Sequence, residues 1–522
     1  MPKRRMKKPE QITLDIKQVE ALLERAKEVL PPEDYEIIKA MADTIYLLSQ
    51  SVNKKAASIQ RLLRMLFGAT TEKLQKATRK NNSGNSGNSG EEPKKGHGRN
   101  PAADYTGAET VEVSCETLKP GDDCPACLEG KVYELKEPKR VVRITGNAPL
   151  SGTVYEMQRL RCNLCGEIFT ADTPAGVGEE KYDARSGAVI AVLKYGTGMP
   201  FNRLENLQQS LGIPLPASTQ YEIVKQIADM LCPVANELIN KAAQGKVVYN
   251  DDTTMKVLEL MQEENPTRKA IYTTGILSTT EEYKIALFLT GRQHAGENIE
   301  DILAHRTDRS PPIQMCDALA GNVPKTFETL LANCLAHGRR QFVNVFDNFP
   351  DECRYVLETL AEVYKNDEIA KKRHMNADER LHFHQQNSGP LMKELNTWLH
   401  GQLEKNAVEP NSGLGQAINY MIKHWDALTL FLKEPGAPLD NNLCEQSLKK
   451  AILHRKNALF YKTLNGAGVG DLFMSLIQTC NLNGANPIDY LTVLQEHAAE
   501  LKQEPEKWLP WNYTAQLPQN PS

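Results

Sequence analysis

The chain of 522 residues lacks any apolar run long enough to cross a bilayer. Stretches such as AVIAVL at 188–193 fall far short of the ~20 residues a membrane helix needs. The basic start, MPKRRMKKPE, is not followed by an apolar core segment, so no secretory signal is expected and the chain is placed in the cytoplasm. A strong net charge is also missing. The formal charge is -4, from 62 Lys and Arg against 66 Asp and Glu, so only the distribution of charge is informative. A disulfide framework is not expected either. The eleven cysteines are odd in number and scattered, which fits reduced thiols with a metal site among them. What is present is an ordinary composition, 40% apolar, in a chain long enough for two to four domains of ~150 residues.

Residues 1–80 form an N-terminal helical region, with one long helix expected over 34–80. Ile38, Met41, Ile45, Leu48, Val52, Ile59, Leu62 and Leu66 recur at steps of three and four, with Lys55 in one slot. This is a heptad seam with a polar break, and it predicts a coiled coil that joins protomers. A lone amphipathic helix packed on its own domain is the competing reading. From Lys54 to Asn100 there are eleven Lys or Arg and three Glu, a cationic arm suited to a phosphate backbone or simply a solvated face. NNSGNSGNSG opens a flexible linker over 81–104.

Residues 105–175 carry two C-x2-C knuckles, Cys124 with Cys127 and Cys162 with Cys165, separated by 34 residues. Four thiolates suit a tetrahedral Zn²⁺ with no open position, so a structural zinc in a ribbon-like domain is expected. Residues 176–243 read as a helical DNA-binding or connecting region. Its two or three short helices are broken at GMP and GIPLPAST, and the last break resembles the turn of a helix-turn-helix.

The next stretch, 244–342, alternates strands and helices. KVVYNDDT, KAIYTTGIL and YKIALFLTG predict three successive strands, then come the helix AGENIEDILAH, the strand PIQMCDA, and TLLANCLAH as a strand running into a helix. That order is the one a ribonuclease-H-like core follows. Residues 343–432 are helical throughout, 433–500 return to the core, and 501–522 are Pro-rich and expected to be extended. The whole is a multidomain α+β chain: coiled-coil helix, zinc ribbon, and ribonuclease-H-like core with an all-helical insertion. Asp251 and Asp317 fall at strand ends and Glu445 on a later helix. Alternation puts Asp251 and Asp252 on opposite faces, and spacing alone does not choose between them. Carboxylates are hard ligands for Mg²⁺ or Mn²⁺, and three from separate elements can hold a two-ion site for phosphoryl transfer. Ordinary surface acids are the bland alternative.

The motifs resemble those of a DDE-type bacterial transposase of the insertion-sequence-66 family, almost end to end. LFGATTEKL (66–74) resembles the close of that family's leucine-zipper region, and the two knuckles its zinc domain. NDDTTMKVL and MCDALAGN resemble the first two acid motifs, which assigns Asp251 and Asp317 as catalytic metal ligands. NCLAHGRRQF resembles the next segment, with Cys334, His337, Arg339 and Arg340. EPNSGLGQAINYMIKHW, PLDNNLCEQSLKKAILHRKNALFYKTLNGA and LPWNY resemble the C-terminal motifs, and Glu445 becomes the third acid. Gln446, where many members carry Arg, and Thr71, where Ser is common, depart from the pattern.

The resemblance implies a transposase with two Mg²⁺ (or Mn²⁺) ions, acting on terminal inverted repeats and target DNA as a homo-oligomer, with accessory proteins of the element as further partners. A helical insertion would fill the 128 positions from Asp317 to Glu445. Arg339, Arg340, Lys449, Lys450, Arg455 and Lys456 are candidate DNA contacts, with a solvated face as the alternative for the arginines. His337 is a supporting or a merely structural histidine. Its C-x2-H spacing from Cys334 has no second pair nearby, so zinc is not expected there. Asn441 and Asn442 are expected to cap the helix of Glu445. The alternatives are an inactive relative acting as a DNA-binding repressor, and a structure-specific nuclease.

Overall fold

The computed structural model describes residues 180–518 throughout, with 149–161, 168–172, 174 and short pieces at 23–39, 119–122 and 131. The chain divides into two compact units, residues 1–142 and 143–522. In the first, the described residues 23–27 and 34–36 are helical. Most of the expected heptad seam, the linker, and Cys124, Cys127, Cys162 and Cys165 lie outside the described residues.

The second unit begins with a small antiparallel pair, β1 (Arg159–Arg161) and β2 (Ile168–Thr170). Helix α1 (Ala184–Ala191) is capped by Asp183, whose carboxylate accepts the Ser186 N–H at 2.7 Å, and it runs on into a π-helical turn at Val192–Gly196. Pro200 and Pro216 precede α2 (Phe201–Ser210) and α3 (Ala217–Ala243) and set both breaks. The last of these is not short. It runs 27 residues and buries Val224, Ile227, Leu231, Val234 and Leu238, a stripe at steps of three and four that makes it a core helix.

A mixed five-stranded sheet follows, in the order β5-β4-β3-β6-β7. β3 (Val247–Thr254), β4 (Tyr272–Thr279) and β5 (Lys284–Gly291) form an antiparallel meander. After α4 (Ala295–Leu303), β6 (Ile313–Cys316) and β7 (Leu330–Asn333) add in parallel to β3. Val248, Ile276, Ile285 and Leu287 share one hydrophobic cluster with α1, α3 and α4. Val247, Tyr249, Leu277 and Met315 share a second with the helical insertion. α5 (Leu335–Val345) crosses the expected boundary at 343, and the stretch 343–432 then holds α6 (Pro350–Lys372), α7 (Ala377–Asn387), α8 (Gly389–Glu404) and α9 (Gly413–Lys423). The chain then returns through α10 (Asn442–Ala458), α11 (Leu464–Leu482) and α12 (Pro487–Glu496).

Edge strand β5 would expose a row of amides. α11 covers it with a polar stripe at every fourth residue. Asp471, Ser475, Thr479 and Asn483 accept the N–H groups of Thr290, Phe288, Ala286 and Lys284 at 2.6, 2.9, 3.1 and 3.1 Å. Burial pushes the Asp471 carboxyl up to about 7 against the opposing pull of the Thr290 bonds. The C-terminal segment departs from the extended form expected. It makes 3-10 turns at Pro505–Trp508 and Tyr513–Gln516 and buries Trp508, Leu509 and Tyr513, because its aromatic side chains find the core. The Tyr490 hydroxyl donates to the Trp508 carbonyl at 2.8 Å. Among the described residues no helix is long and apolar enough to cross a membrane.

Candidate active site

The adjacent strands β3 and β6 run parallel, with Tyr249 beside Met315. Two residues further along each chain come Asp251 and Asp317, so both acids stand at the same level on the carboxyl side of the sheet, where α/β sheets commonly bind ligands. β3 itself continues to Thr254, past the expected end, but only β4 follows it there.

The two adjacent aspartates separate by environment. The Asp252 carboxylate accepts the Thr274 hydroxyl at 2.6 Å and the Ala295 N–H at 2.9 Å, at the start of α4, and faces His294 Nδ1 at 3.4 Å. Its acceptors are taken by the fold. Asp251 lies on the other face and accepts only the neighbouring Asp252 N–H, at 2.8 Å, among its hydrogen bonds to described residues. Burial, then the nearby carboxylates of Asp317, Glu445 and Asp252, push its carboxyl up to about 7. Asp317 and Glu445 thus both act on the Asp251 carboxyl, although Asp251, Asp317 and Glu445 are separated by 66 and 128 positions in sequence.

Opposite Asp251 in the register sits Gly275. A Cβ there would meet Leu448 Cδ1 at 2.9 Å, so glycine is what lets α10 lie this close to the sheet. The Cys444 thiol donates to the Gly275 carbonyl at 3.3 Å on the same contact. Glu445 follows in the first turn of α10.

The expected capping by Asn441 and Asn442 is not what forms. Asn441 has φ -93° and ψ 11°, not the extended backbone from which a cap side chain reaches the next turn, and it makes no capping bond. Its Nδ2 instead donates to the Asn250 carbonyl at 3.1 Å, and its N–H to Cys334 Sγ at 3.3 Å. Asn442 is the first helical residue, and its N–H is taken by Asp440 at 3.2 Å.

Below the acids lies a buried amide network that the sequence reading did not single out. Gln314 Nε2 donates to Asn250 Oδ1 at 2.9 Å and to the Asn322 carbonyl at 2.7 Å, and Asn250 Nδ2 donates to the same carbonyl at 2.8 Å. Asn322 Nδ2 in turn donates to Asp317 Oδ1, which also accepts the Leu319 N–H at 3.1 Å. One set of side chains thus fixes the strand of Asp251, the carboxylate of Asp317 and, through Asn441, the helix of Glu445. Its trace in the sequence is a polar residue inside each apolar strand, Asn250 and Gln314.

His337 Nδ1 stands 3.9 Å from Glu445 Oε1. Candidate ligand atoms of Cys334, His337 and Glu445 all lie within 4.8 Å of one another. The partner that the C-x2-H pair lacked in sequence is thus a carboxylate from 108 positions later. Burial raises the Cys334 thiol to about 11, so that group is a neutral thiol near pH 7. Glu445 Oε1, His337 Nδ1 and Asn441 Oδ1 are buried with no hydrogen-bond partner. The open oxygens of Glu445 and Asn441 suit a hard cation such as Mg²⁺ or Mn²⁺, whereas the Cys334 thiol and His337 ring nitrogen near Glu445 are softer donors.

The cations are spread around this centre. Arg340, Lys449 and Lys456 are exposed, Arg339 and Lys450 are half-buried, and burial lowers the Lys450 pKa. Arg455 is occupied structurally: its Nη1 donates to Thr253 Oγ1 at 3.0 Å and Thr254 Oγ1 at 2.6 Å, tying α10 to the end of β3. Gln446 lines a cavity with Lys371, Arg380 and Asp440.

Residues 181–468 match the profile of the family described as "Transposase IS66 family". The chain is 26% identical over 426 residues to the uncharacterized protein y4jD of Sinorhizobium fredii, covering 76% of this chain and 80% of that one. It is 24% identical over 428 residues to the uncharacterized protein y4hP of the same organism, covering 77% and 75%. The profile match spans more than half of the chain and takes in Asp251, Asp317 and Glu445, and the chain belongs to the IS66 family of transposases.

Proposed function

We propose that the protein cleaves the ends of a mobile DNA element and joins the freed 3′-OH to target DNA, with Asp251, Asp317 and Glu445 as the catalytic acids. The observation that carries this is the family match over residues 181–468, which takes in Asp251, Asp317 and Glu445, and the placement of Asp251 and Asp317 just past the paired stretch of the adjacent parallel strands β3 and β6 supports it. The strand order, a three-stranded meander extended by two parallel strands, is the ribonuclease-H-like arrangement and supports the reading.

In this scheme water displaces the 3′ oxygen at the element end, and that oxygen then displaces another from a target phosphodiester. Each step forms one P–O bond and breaks one, so no covalent protein intermediate is required. Two Mg²⁺ or Mn²⁺ ions held by the three carboxylates would activate the attacking oxygen and stabilise the leaving one. Asn322 and the Leu319 N–H hold Asp317 in position. Asn441 holds the start of α10 against β3, which sets the reach of Glu445. His337 stands beside Glu445 and completes the polar rim. Lys449, Lys450, Lys456, Arg339 and Arg340 would grip phosphates, while Arg455 supports the frame. A zinc-bound N-terminal domain, a coiled coil pairing protomers at two element ends, accessory proteins and a cytoplasmic location complete the proposal.

The test is strand transfer of labelled terminal-repeat DNA with Mg²⁺ or Mn²⁺, comparing wild type with Asp317→Ala and Glu445→Ala. Products from wild type alone support the proposal. Equal activity in all three removes the acids from the chemistry, and binding without cleavage by wild type favours a repressor.

A further inference from the structure

The segment from Leu459 to Lys462 is unused by the phosphoryl-transfer reading. α10 ends at Ala458, and Leu459 follows at φ 70° and ψ -42°, a backbone that a branched L-residue seldom adopts. The turn is held on both sides. Leu459 N–H donates to the Arg455 carbonyl at 3.0 Å, and Tyr461 N–H to the Lys256 carbonyl at 2.9 Å. Tyr461 is buried, and a Cβ on Gly470 would strike its hydroxyl at 2.3 Å. Leu459 and Phe460 are thereby pushed outward, 62% and 43% exposed. Lys256, Lys456 and Lys462 around them are exposed as well.

We infer that Leu459 and Phe460 form a wedge that enters the base stack of duplex DNA. The inference rests on the proposed function for its partner. Two apolar side chains on a rigid tip are too small a face for a stable protein interface, but they match the wedge that architectural proteins insert at a base step. The surrounding lysines match the phosphates on either side of that step. Fourteen positions separate Glu445 from Leu459, almost all of them in one helix. At ~1.5 Å per residue this is ~21 Å, or about six base steps of ~3.4 Å. The wedge therefore kinks the duplex about half a turn from the cut and bends it along α10.

The experiment uses the full chain in EDTA, where no cleavage is needed. The probes are duplexes of about 40 base pairs, fully paired or with a short central mismatch, each carrying 2-aminopurine beside the centre. A mismatch spares the cost of unstacking, so wild type is expected to bind it ~10-fold tighter than the paired duplex and to brighten the probe. Leu459→Ser with Phe460→Ser is expected to abolish the preference and the brightening while keeping its affinity for paired DNA. Both side chains are exposed, so the fold should survive. Leu459→Gly, which relieves the backbone, is expected to keep part of the preference through Phe460. Lys456→Ala is expected to weaken both duplexes alike. No preference in wild type, a preference that survives the double substitution, or equal weakening of both duplexes by it overturns the wedge. Failure of strand transfer alone would sink the proposed chemistry and leave this readout standing.

Discussion

Asp367 in α6 and Asp251 in β3 are both largely removed from water, and their surroundings are opposite. Asp367 is met by Arg380 Nε at 2.9 Å and Nη2 at 2.7 Å, Lys371 at 2.7 Å and His384 Nε2 at 3.3 Å. Burial alone would raise its pKa, but the His384 bond, Arg380 and Lys371 outweigh it and hold the carboxyl well below the usual range. Around Asp251 burial acts in the same direction; the Asp252 N–H bond pulls against it, the carboxylates of Asp317, Glu445 and Asp252 add to it, and no cation among the described residues opposes it, so the carboxyl rises to about 7. The first acid is completed by the protein and braces the insertion. The second accepts one N–H, that of Asp252, among its hydrogen bonds to described residues. Burial of an acid is thus no guide to its role until its partners are counted.

The sharpest way to break this comparison is to remove one acid from each cluster. Asp317→Ala is expected to lower strand transfer on the order of 10³-fold, since several kcal/mol of charge stabilisation would go with it. Its thermal midpoint without added cation should fall only modestly, since Asn322 Nδ2 and the Leu319 N–H lose an acceptor; a fall as large as that of Asp367→Ala would show that this acid braces the fold instead. Asp367→Ala should do the reverse. Stripped of its partner, the buried end of Arg380 is expected to cost about 3 kcal/mol in a denaturant titration, with activity per folded molecule nearly kept.

Asn441→Ala lies between these extremes. Loss of the bond to Asn250 is expected to cost about 10–100-fold in activity, with a stability change of about 1 kcal/mol, read from kinetics and unfolding on the same preparation.

The last test is in pH. The folded-state pKa values of Asp251 and Asp471 both rise from 3.8 to about 7. Between those values the folded protein keeps protons that the unfolded chain releases, so the stability contributed by these two groups is greatest below about pH 4 and is lost as pH climbs through 7, opposite in sign to the contribution of Asp367. Asp251→Asn and Asp471→Asn should each flatten the slope in cation-free buffer. Added Mg²⁺ should restore stability at pH 8 for wild type and Asp471→Asn but not for Asp251→Asn.

Much of this was legible in the sequence for physical reasons. Strand alternation and the helix period mark β3 to β7 and the insertion, because both follow from which side chains meet the core. The acid motifs stand out because few other residue types bind hard cations. Spacing alone does not separate Asp251 from Asp252, and only the family resemblance points to Asp251; the different surroundings of the two depend on Ala295, Thr274 and α10, which come from other parts of the chain. The same holds for Glu445 beside His337, and for Asn441, whose local sequence suggests a cap but whose side chain finds a carbonyl 191 positions away. The tail from 501 looked extended because prolines dominate its local preferences, and the burial of Trp508 and Tyr513 overrode them.

The bond from Asn441 to Asn250 also has a meaning in time. A ribosome delivers Asp251 and Asp317 long before α10, and the last acid can dock only after the insertion has emerged and the chain has closed across 191 positions. A nascent or prematurely terminated chain therefore carries two of the three acids and lacks the third.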